Sequence, residues 1–268
     1  MVASLPNSNP SISTLLASAW RSRTLIDEID DQALPSDRGQ AYVIQEEMVH
    51  ATAEPLDGWK VGAVAKAVQR AEGFDGPIPG MILRSTLRHG DSNFRATDLP
   101  EAKLECEYAF RFLEDIPTSG AQFTGDDLVE KVAFHVAFDI TSTRIAPAFK
   151  ASLDKLTAMR LGIADNGNGG AVVIGDEIAD WRDYDLLGLG VEVELDGRRF
   201  SPIFSRQSRA DPVEAMVETA NDLAARGLSF QKDNYLLTGS LTEPQTFGKG
   251  QRAIADFEAM GQLTVELV

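Results

Sequence analysis

The sequence is poor in several residue types, and each shortage excludes a class of protein. Cys106 is the only cysteine, so no intramolecular disulfide can form. Lysine and arginine number 25 against 41 acidic residues, and the resulting formal net charge of -16 argues against nucleic acid or an anionic membrane as a partner. The same charge would repel a small anionic substrate, so a site for one needs a cation of its own.

Long apolar runs are also missing. No stretch approaches the roughly 20 apolar residues of a membrane-spanning helix, and the first residues lack the basic-then-apolar pattern of a secretory signal. Hydrophobic residues make up 43% of the chain and charged residues 25%, as in ordinary globular domains. We therefore expect a folded protein of the cytoplasm, without a membrane partner.

The local patterns divide the chain into a helical start and a β-rich remainder. Residues 1–11 are polar and contain two prolines, which predicts a frayed terminus. Apolar residues at helical spacing predict helices over roughly 12–31 and 36–53, and Asp211 and Pro212 predict the start of another over 211–226. Strands are predicted over 103–112, 135–142, 170–174, 189–195, 234–238 and 262–267. The pattern indicates an α+β protein with a small N-terminal helical region, 1–57, and one main domain, 58–268.

The segment 103–112 is the most informative for function. As a strand it places Glu105 and Glu107 on one face and Cys106 on the other, so Cys106 is expected to be a core residue. Carboxylates two residues apart on a strand are separated by about 7 Å at their Cα atoms, close enough for both to reach one hard cation such as Mg²⁺ or Mn²⁺. By itself, however, a Glu-x-Glu pattern more often describes two side chains facing water.

Two further charged residues lie in unusually apolar surroundings. Asp139 interrupts the apolar segment 134–140, where an acid is costly unless it is paired, for example with Arg144, or bound to a metal. Lys60 lies between two glycines in the segment 58–62. Beside a metal its pKa could fall enough for proton transfer, whereas the simpler interpretation is an edge-strand lysine that reaches water.

Taken in order, these segments resemble the 2-keto-4-pentenoate hydratase / 4-oxalocrotonate decarboxylase family of the fumarylacetoacetate-hydrolase superfamily. The Gly-Tyr-Lys-Ile-Gly segment of that family is matched by residues 58–62, and its metal-binding Glu-x-Glu is matched by Glu105 and Glu107. Its third acidic ligand falls at Asp139. The resemblance spans nearly the whole chain and includes two later segments, 164–170 and 237–242. It implies a β-rich roll of mixed sheets.

The chain departs from the family pattern at several positions. Asp139 stands where most relatives have the longer glutamate, and Ile78 stands where the family loop carries an acid thought to assist proton transfer. Hydroxyl groups are also replaced, by Ala63-Val64-Ala65 at one place and by Asn168 and Gly169 at another. These losses of polar groups bear on which substrate and which reaction the chain supports.

The resemblance implies a metal-dependent enzyme acting on a small 2-oxo acid. A bound Mg²⁺ or Mn²⁺ would stabilise the enolate of such an acid. The leading hypothesis is a hydratase that adds water to a 2-hydroxy-2,4-dienoate, as in the catabolism of aromatic compounds, to give a 4-hydroxy-2-oxo acid. The expected residues are Lys60 for proton transfer, Glu105, Glu107 and Asp139 for the metal, and Ile78, Asn168 and Ser240 for substrate contact.

Three other functions follow from the same resemblance. The first is decarboxylation of a 4-oxalocrotonate-type 2-oxo-3-enedioate, which an apolar Ile78 would suit because the step needs no activated water. The second is C–C bond hydrolysis of an acylpyruvate, which usually requires a His–Glu pair that we do not find. The third is a catalytically impaired protein that binds a 2-oxo acid or serves as the partner of another pathway enzyme. Relatives generally form homo-oligomers, so we expect one here.

Overall fold

The computed structural model describes residues 10–74, 76–118 and 122–268. The helices are α1 (Ile12–Ser22), α2 (Arg38–Thr52), α3 (Lys66–Glu72), α4 (Gly125–Leu128), α5 (Pro147–Ser152), α6 (Lys155–Ala164) and α7 (Pro212–Ala225). The strands are β1 (Leu56–Gly62), β2 (Ile78–Leu83), β3 (Leu87–His89), β4 (Ser92–Phe94), β5 (Lys103–Phe112), β6 (Val132–Thr141), β7 (Gly169–Glu177), β8 (Glu192–Leu195), β9 (Arg198–Phe200), β10 (Tyr235–Ser240), β11 (Gln245–Thr246), β12 (Arg252–Asp256) and β13 (Gln262–Leu267). Among the described residues, no helix is long and apolar enough to cross a membrane.

The main sheet contains eight strands of mixed direction. Seven follow the order β2-β1-β10-β5-β6-β7-β3, and β11 pairs with β5 outside this path. Strands β5 and β6 are antiparallel along their whole lengths, from Lys103 opposite Thr141 to Phe112 opposite Val132. Parallel pairs join β1 to β10 and β3 to β7. The prediction of an α+β fold with mixed sheets is therefore confirmed.

This sheet is curled rather than flat. In the strand order, β1 and β6 are three positions apart, which is about 14 Å across a flat sheet. Nevertheless, Lys60 Nζ on β1 lies 2.8 Å from Asp139 Oδ2 on β6. The strands must therefore bend toward each other on this face, which gathers the charged side chains of β1, β5 and β6 in the concavity.

The opposite face of β5 and β6 carries the hydrophobic core. Tyr108, Phe110, Phe134 and Trp181 form a cluster of rings whose centroids are 5.1 to 5.5 Å apart. Cys106 is a free thiol buried on the same face, as its position in the alternation predicted. The second sheet, β4-β13-β12-β8-β9, contributes side chains to this core as well.

The N-terminal helices are part of the same core. Leu16 and Met48 are fully buried and belong to the main cluster of buried apolar side chains. Helix α2 matches the predicted 36–53 closely, but α1 ends at Ser22 and not at residue 31. It ends there because Arg23 adopts a left-handed conformation, and the chain then forms a β-bridge from Ile26 to Ile145. The division at residue 57 stays a prediction, and residues 1–9 of the predicted frayed terminus lie outside the described residues.

Candidate metal centre and active-site cleft

Three carboxylates meet on the concave face of the main sheet. The alternation of β5 directs Glu105 and Glu107 to this face, and the register of β6 places Asp139 directly opposite Glu105. One carboxylate oxygen from each residue lies within 4.8 Å of the other two. The alternation of side chains along the strands and the register between them therefore bring together the three residues that were predicted as metal ligands.

Burial makes this cluster electrostatically unfavourable by itself. It raises the pKa of Glu105 to about 7, and the negative charge of Asp139 adds to the effect. It also raises the pKa of Glu107 well above its ordinary value, reinforced by the two neighbouring acids. Burial raises the pKa of Asp139 as well, although Lys60 opposes this shift. Additional positive charge in the cluster would therefore stabilise it.

Lys60 supplies one such charge from β1. Its Nζ lies 2.8 Å from Asp139 Oδ2 and donates a hydrogen bond to the carbonyl oxygen of Gly167 at 3.1 Å. Burial lowers the pKa of Lys60, but attraction to the acids, Asp139 first, outweighs it and holds that pKa above the ordinary value. Lys60 is 7% exposed on a strand between two others, so the interpretation as an edge-strand lysine reaching water is wrong.

The alternative partner for Asp139 is also excluded. Arg144 Nε lies 2.5 Å from Asp165 Oδ1, and Arg144 donates further hydrogen bonds to the carbonyl oxygens of Asp165 and Gly169. Arg144 therefore binds to the loop that follows α6, whereas Asp139 pairs with Lys60.

The donor set fits a hard divalent cation. Asp139 Oδ1 is buried and accepts no hydrogen bond from the described part of the chain, whereas Glu107 Oε2 accepts one from the Gly239 N–H at 2.9 Å. Carboxylate oxygens are the ligands that Mg²⁺ and Mn²⁺ prefer. Three carboxylates and one ammonium leave a formal charge of -2, which one divalent cation would neutralise.

Two adjoining cavities open from this cluster. The first, of about 380 Å³, is lined by the three acids, Lys60 and Ser240, together with apolar side chains such as Phe204. The second, of about 360 Å³, shares Lys60 with the first and contains Ile78 and Asn168 in its walls. The structure therefore brings every residue predicted for the site to one branched cleft.

The predicted substrate-contact residues differ in how freely they face the cleft. The Ser240 hydroxyl donates a hydrogen bond to the Thr242 carbonyl oxygen at 2.6 Å, so it shapes the turn after β10. Asn168 adopts a left-handed conformation, and its Oδ1 accepts a hydrogen bond from Lys150 at 3.2 Å. Ile78 is half-buried and presents an apolar surface.

Several contributors to the site escaped sequence reasoning. The Gly239 N–H bonds to Glu107, and Asn166 is fully buried and exchanges two hydrogen bonds with the backbone of Met81. A backbone donor leaves no trace in side-chain patterns, although Asn166 belongs to a segment that matches the family. Lys150 carried no signal, because a single lysine outside any recognisable motif is ordinarily solvent-exposed. His135 is buried and donates from Nδ1 to the Gly175 carbonyl oxygen at 3.0 Å.

Comparison with known proteins finds similarity to hydratases and to a decarboxylase. No family profile matches it. It is 27% identical over 231 residues to the TodF product hydratase of Pseudomonas putida, covering 85% of this chain and 83% of the relative. It is 23% identical over 232 residues to the 4-oxalocrotonate decarboxylase of Pseudomonas putida, covering 85% and 84%.

Solved structures share the fold. The 4-oxalocrotonate decarboxylase from Pseudomonas putida G7, complexed with magnesium and adipate, superposes with a TM-score of 0.82 at 18% identity, covering 96% of this chain and 95% of that one. The fumarylpyruvate hydrolase from Pseudomonas aeruginosa, in complex with Mn²⁺ and pyruvate, has a TM-score of 0.54 at 17% identity, covering 80% and 91%.

The chain shares the curled mixed-sheet fold of solved members of the fumarylacetoacetate-hydrolase superfamily, and its acidic cluster has the donor set of a metal site. In sequence it is similar, at 23 to 27% identity, to bacterial hydratases, 2-keto-4-pentenoate hydratases among them, and to a 4-oxalocrotonate decarboxylase. This similarity supports hydratase or decarboxylase activity on substrates of the 2-hydroxydienoate type.

Proposed function

We propose that the protein is a hydratase that adds water to a 2-hydroxy-2,4-dienoate of the 2-keto-4-pentenoate type and forms a 4-hydroxy-2-oxo acid. One observation carries the proposal. A buried lysine, Lys60, contacts both the acidic cluster and the wall of the second cavity, where a 2-oxo acid held by a metal would meet a proton donor.

In this proposal Glu105, Glu107 and Asp139 hold Mg²⁺ or Mn²⁺. A bound cation would attract the oxygens of the 2-oxo acid and would stabilise the anion that forms on proton loss. The Gly239 N–H fixes one oxygen of Glu107 and so orients this ligand.

Lys60 is the proposed proton-transfer residue. As an ammonium it gives a proton to the terminal carbon of the dienoate, and the resulting amine takes the proton of the 2-hydroxyl group, which yields the conjugated 2-oxo acid to which water adds. Hydrogen bonding to Gly167 and the ion pair with Asp139 hold its Nζ in place. Ile78 cannot move protons, so Lys60 acts without the acid that the family carries there. Ile78 and Asn168 would contact the substrate in the second cavity and Ser240 in the first.

Ile78 also favours a second candidate. Decarboxylation of a 4-oxalocrotonate-type enedioate releases CO₂ without activating water, so an apolar side chain at position 78 costs this reaction nothing. The same three carboxylates and Lys60 would serve it. The two reactions differ in product, and a direct assay separates them.

The test is an ultraviolet assay with Mg²⁺ or Mn²⁺ and freshly prepared 2-hydroxypenta-2,4-dienoate. We expect the dienoate absorbance to fall and 4-hydroxy-2-oxopentanoate to appear. Glu107→Ala should abolish this activity by removing a ligand, whereas Glu114→Ala, at an exposed pair with Lys131, should leave it unchanged. The control separates a loss at the site from a general effect of removing a glutamate.

Other results would replace the proposal. Carbon dioxide release from 4-oxalocrotonate, with no turnover of the dienoate, would identify a decarboxylase. No reaction with either substrate would favour the impaired protein that binds a 2-oxo acid or assists a pathway enzyme. The homo-oligomer implied by the resemblance remains a prediction that analytical ultracentrifugation can test.

A further inference from the structure

A second lysine lies in the cleft, away from the acidic cluster. Lys150 on α5 is half-buried and lines both the second cavity and a third one of about 400 Å³, which reaches Glu105. Its Nζ donates a hydrogen bond to Asn168 Oδ1 at 3.2 Å. Within residues 10–74, 76–118 and 122–268, no carboxylate forms an ion pair with it.

The surroundings of Lys150 favour an added negative charge. Burial lowers the pKa of Lys150; attraction from Asp165 opposes this, while repulsion from Lys103 and Arg144 adds to it. Asp165 already accepts the Arg144 guanidinium, so its charge is largely neutralised by another partner. A partly buried ammonium whose polar partner is a neutral amide gains from contact with an anion.

The second cavity connects this ammonium to the reaction centre. Lys60 bonds to the carbonyl oxygen of Gly167, and the next residue, Asn168, accepts from Lys150. Besides Lys60 and Lys150, the wall contains a third lysine, Lys155, and it is otherwise largely apolar, with Phe74, Ile78, Ala158, Met159 and Ile163. A short hydrocarbon chain with an anionic group at each end matches this lining.

We infer that Lys150, oriented by Asn168, binds a second carboxylate at the far end of the substrate. The preferred substrate is then a dicarboxylic relative of 2-hydroxypenta-2,4-dienoate, with the 2-oxo end at the metal centre and the other carboxylate at Lys150. This inference rests on the proposed function, because it assumes that a 2-oxo acid occupies the metal centre. It assigns the charge of the substrate tail, which the metal ligands and Lys60 leave undetermined.

The test measures binding and not turnover. The Mg²⁺-loaded protein is titrated by calorimetry with 2-oxoadipate and with 2-oxohexanoate, which have the same length and differ only in the terminal carboxylate. A shorter matched pair, 2-oxoglutarate and 2-oxopentanoate, covers a nearer position. In at least one pair we expect the diacid to bind about tenfold more tightly, as one charge-assisted hydrogen bond provides.

Variants assign the preference to Lys150. Lys150→Met should remove it and leave the affinity for the monoacid unchanged, and Lys150→Arg should retain most of it. Lys232→Met, at an exposed lysine in the turn before β10, should change neither affinity. Circular dichroism and melting temperature establish that each variant is folded, and Lys150→Gln replaces Lys150→Met if the latter does not fold.

Each outcome decides the inference. Equal binding within both pairs overturns the carboxylate subsite, while Mg²⁺-dependent binding of the monoacids leaves the proposed function intact. A preference for the diacid that persists in Lys150→Met also overturns the subsite. If none of the four acids binds in the presence of Mg²⁺, the subsite and the proposed function fail together.

Discussion

Lys60 is the residue on which the chemistry depends most. Its ammonium group contacts a proposed metal ligand, Asp139, and a carbonyl oxygen of the cleft wall, that of Gly167, so one side chain joins the charged cluster to the substrate space. The ion pair and the hydrogen bond hold the buried ammonium group of Lys60 in place. A replacement side chain of similar length therefore removes the charge and largely keeps the packing.

Lys60→Met is therefore expected to lower the rate of dienoate hydration about 100-fold or more, the range that a general acid–base group contributes. Methionine fills the same space but cannot carry a proton. Because the three carboxylates remain, Mg²⁺ should still raise the melting temperature of this variant. A rate within tenfold of the wild-type rate would exclude Lys60 from proton transfer; loss of the Mg²⁺ effect would instead indicate a disturbed metal site.

For single residues, the sequence predicted the strand face of a side chain better than its contact partner. Strand alternation correctly placed Glu105 and Glu107 on one face and Cys106 on the other. The contact between Asp139 and Lys60 was not foreseen, since their strands are separated by two others in the sheet and approach only because the sheet curls. Arg144, close in sequence, was the natural partner but faces the loop after α6.

Among the elements, the turn from Asp165 to Gly169 links the core to the cleft. Asp165 is fully buried and accepts hydrogen bonds from the Thr143 hydroxyl, the Arg144 backbone N–H and the Arg144 side chain. Arg144 is 3% exposed and depends on this carboxylate. The pair therefore holds the turn in which Gly167 contacts Lys60 and Asn168 contacts Lys150.

Asp165→Ala should reduce the free energy of unfolding by about 3 to 5 kcal/mol, because it leaves the Arg144 guanidinium buried without its counter-ion. Asp233→Ala is the matched control: Asp233 pairs with Arg111 at 3.2 Å but is 64% exposed, so its loss should cost about 1 kcal/mol or less. Urea denaturation of both variants measures the difference. Equal losses would show that the buried pair contributes no more than a surface pair.

Some helices were predicted well, whereas others were not. Helix α7 begins as expected, with the Asp211 side chain accepting from the Val213 and Glu214 N–H groups. Helix α1 was predicted too long, since a non-glycine residue ends it. Helices α5 and α6, which line the second cavity, were not predicted. The apolar residues of α6 do not keep to one face, so its helical spacing is weak.

For the whole molecule, the strand order could not be derived from local patterns. Alternation identifies strands but does not indicate that β1 lies beside β10, almost 180 residues later in the chain. The family resemblance supplied the roll, and the structures that share the fold confirm it. The excess of acidic residues was taken to argue against anionic partners, and three of these acids lie together in the cleft, where their negative charge has a direct energetic consequence.

Bound metal should therefore stabilise the entire fold. The cluster retains a formal charge of -2 after pairing with Lys60, and a divalent cation that binds only the folded chain adds stability in proportion to its occupancy. At a free Mg²⁺ concentration about 100 times the dissociation constant, the gain is roughly 2.7 kcal/mol relative to protein treated with EDTA. Glu107→Gln should lose most of this gain and Glu114→Gln should keep it, as measured by urea denaturation with and without Mg²⁺. If the metal changes the stability of Glu107→Gln as much as that of the wild type, the cation binds elsewhere, and the cluster is held together by Lys60 alone.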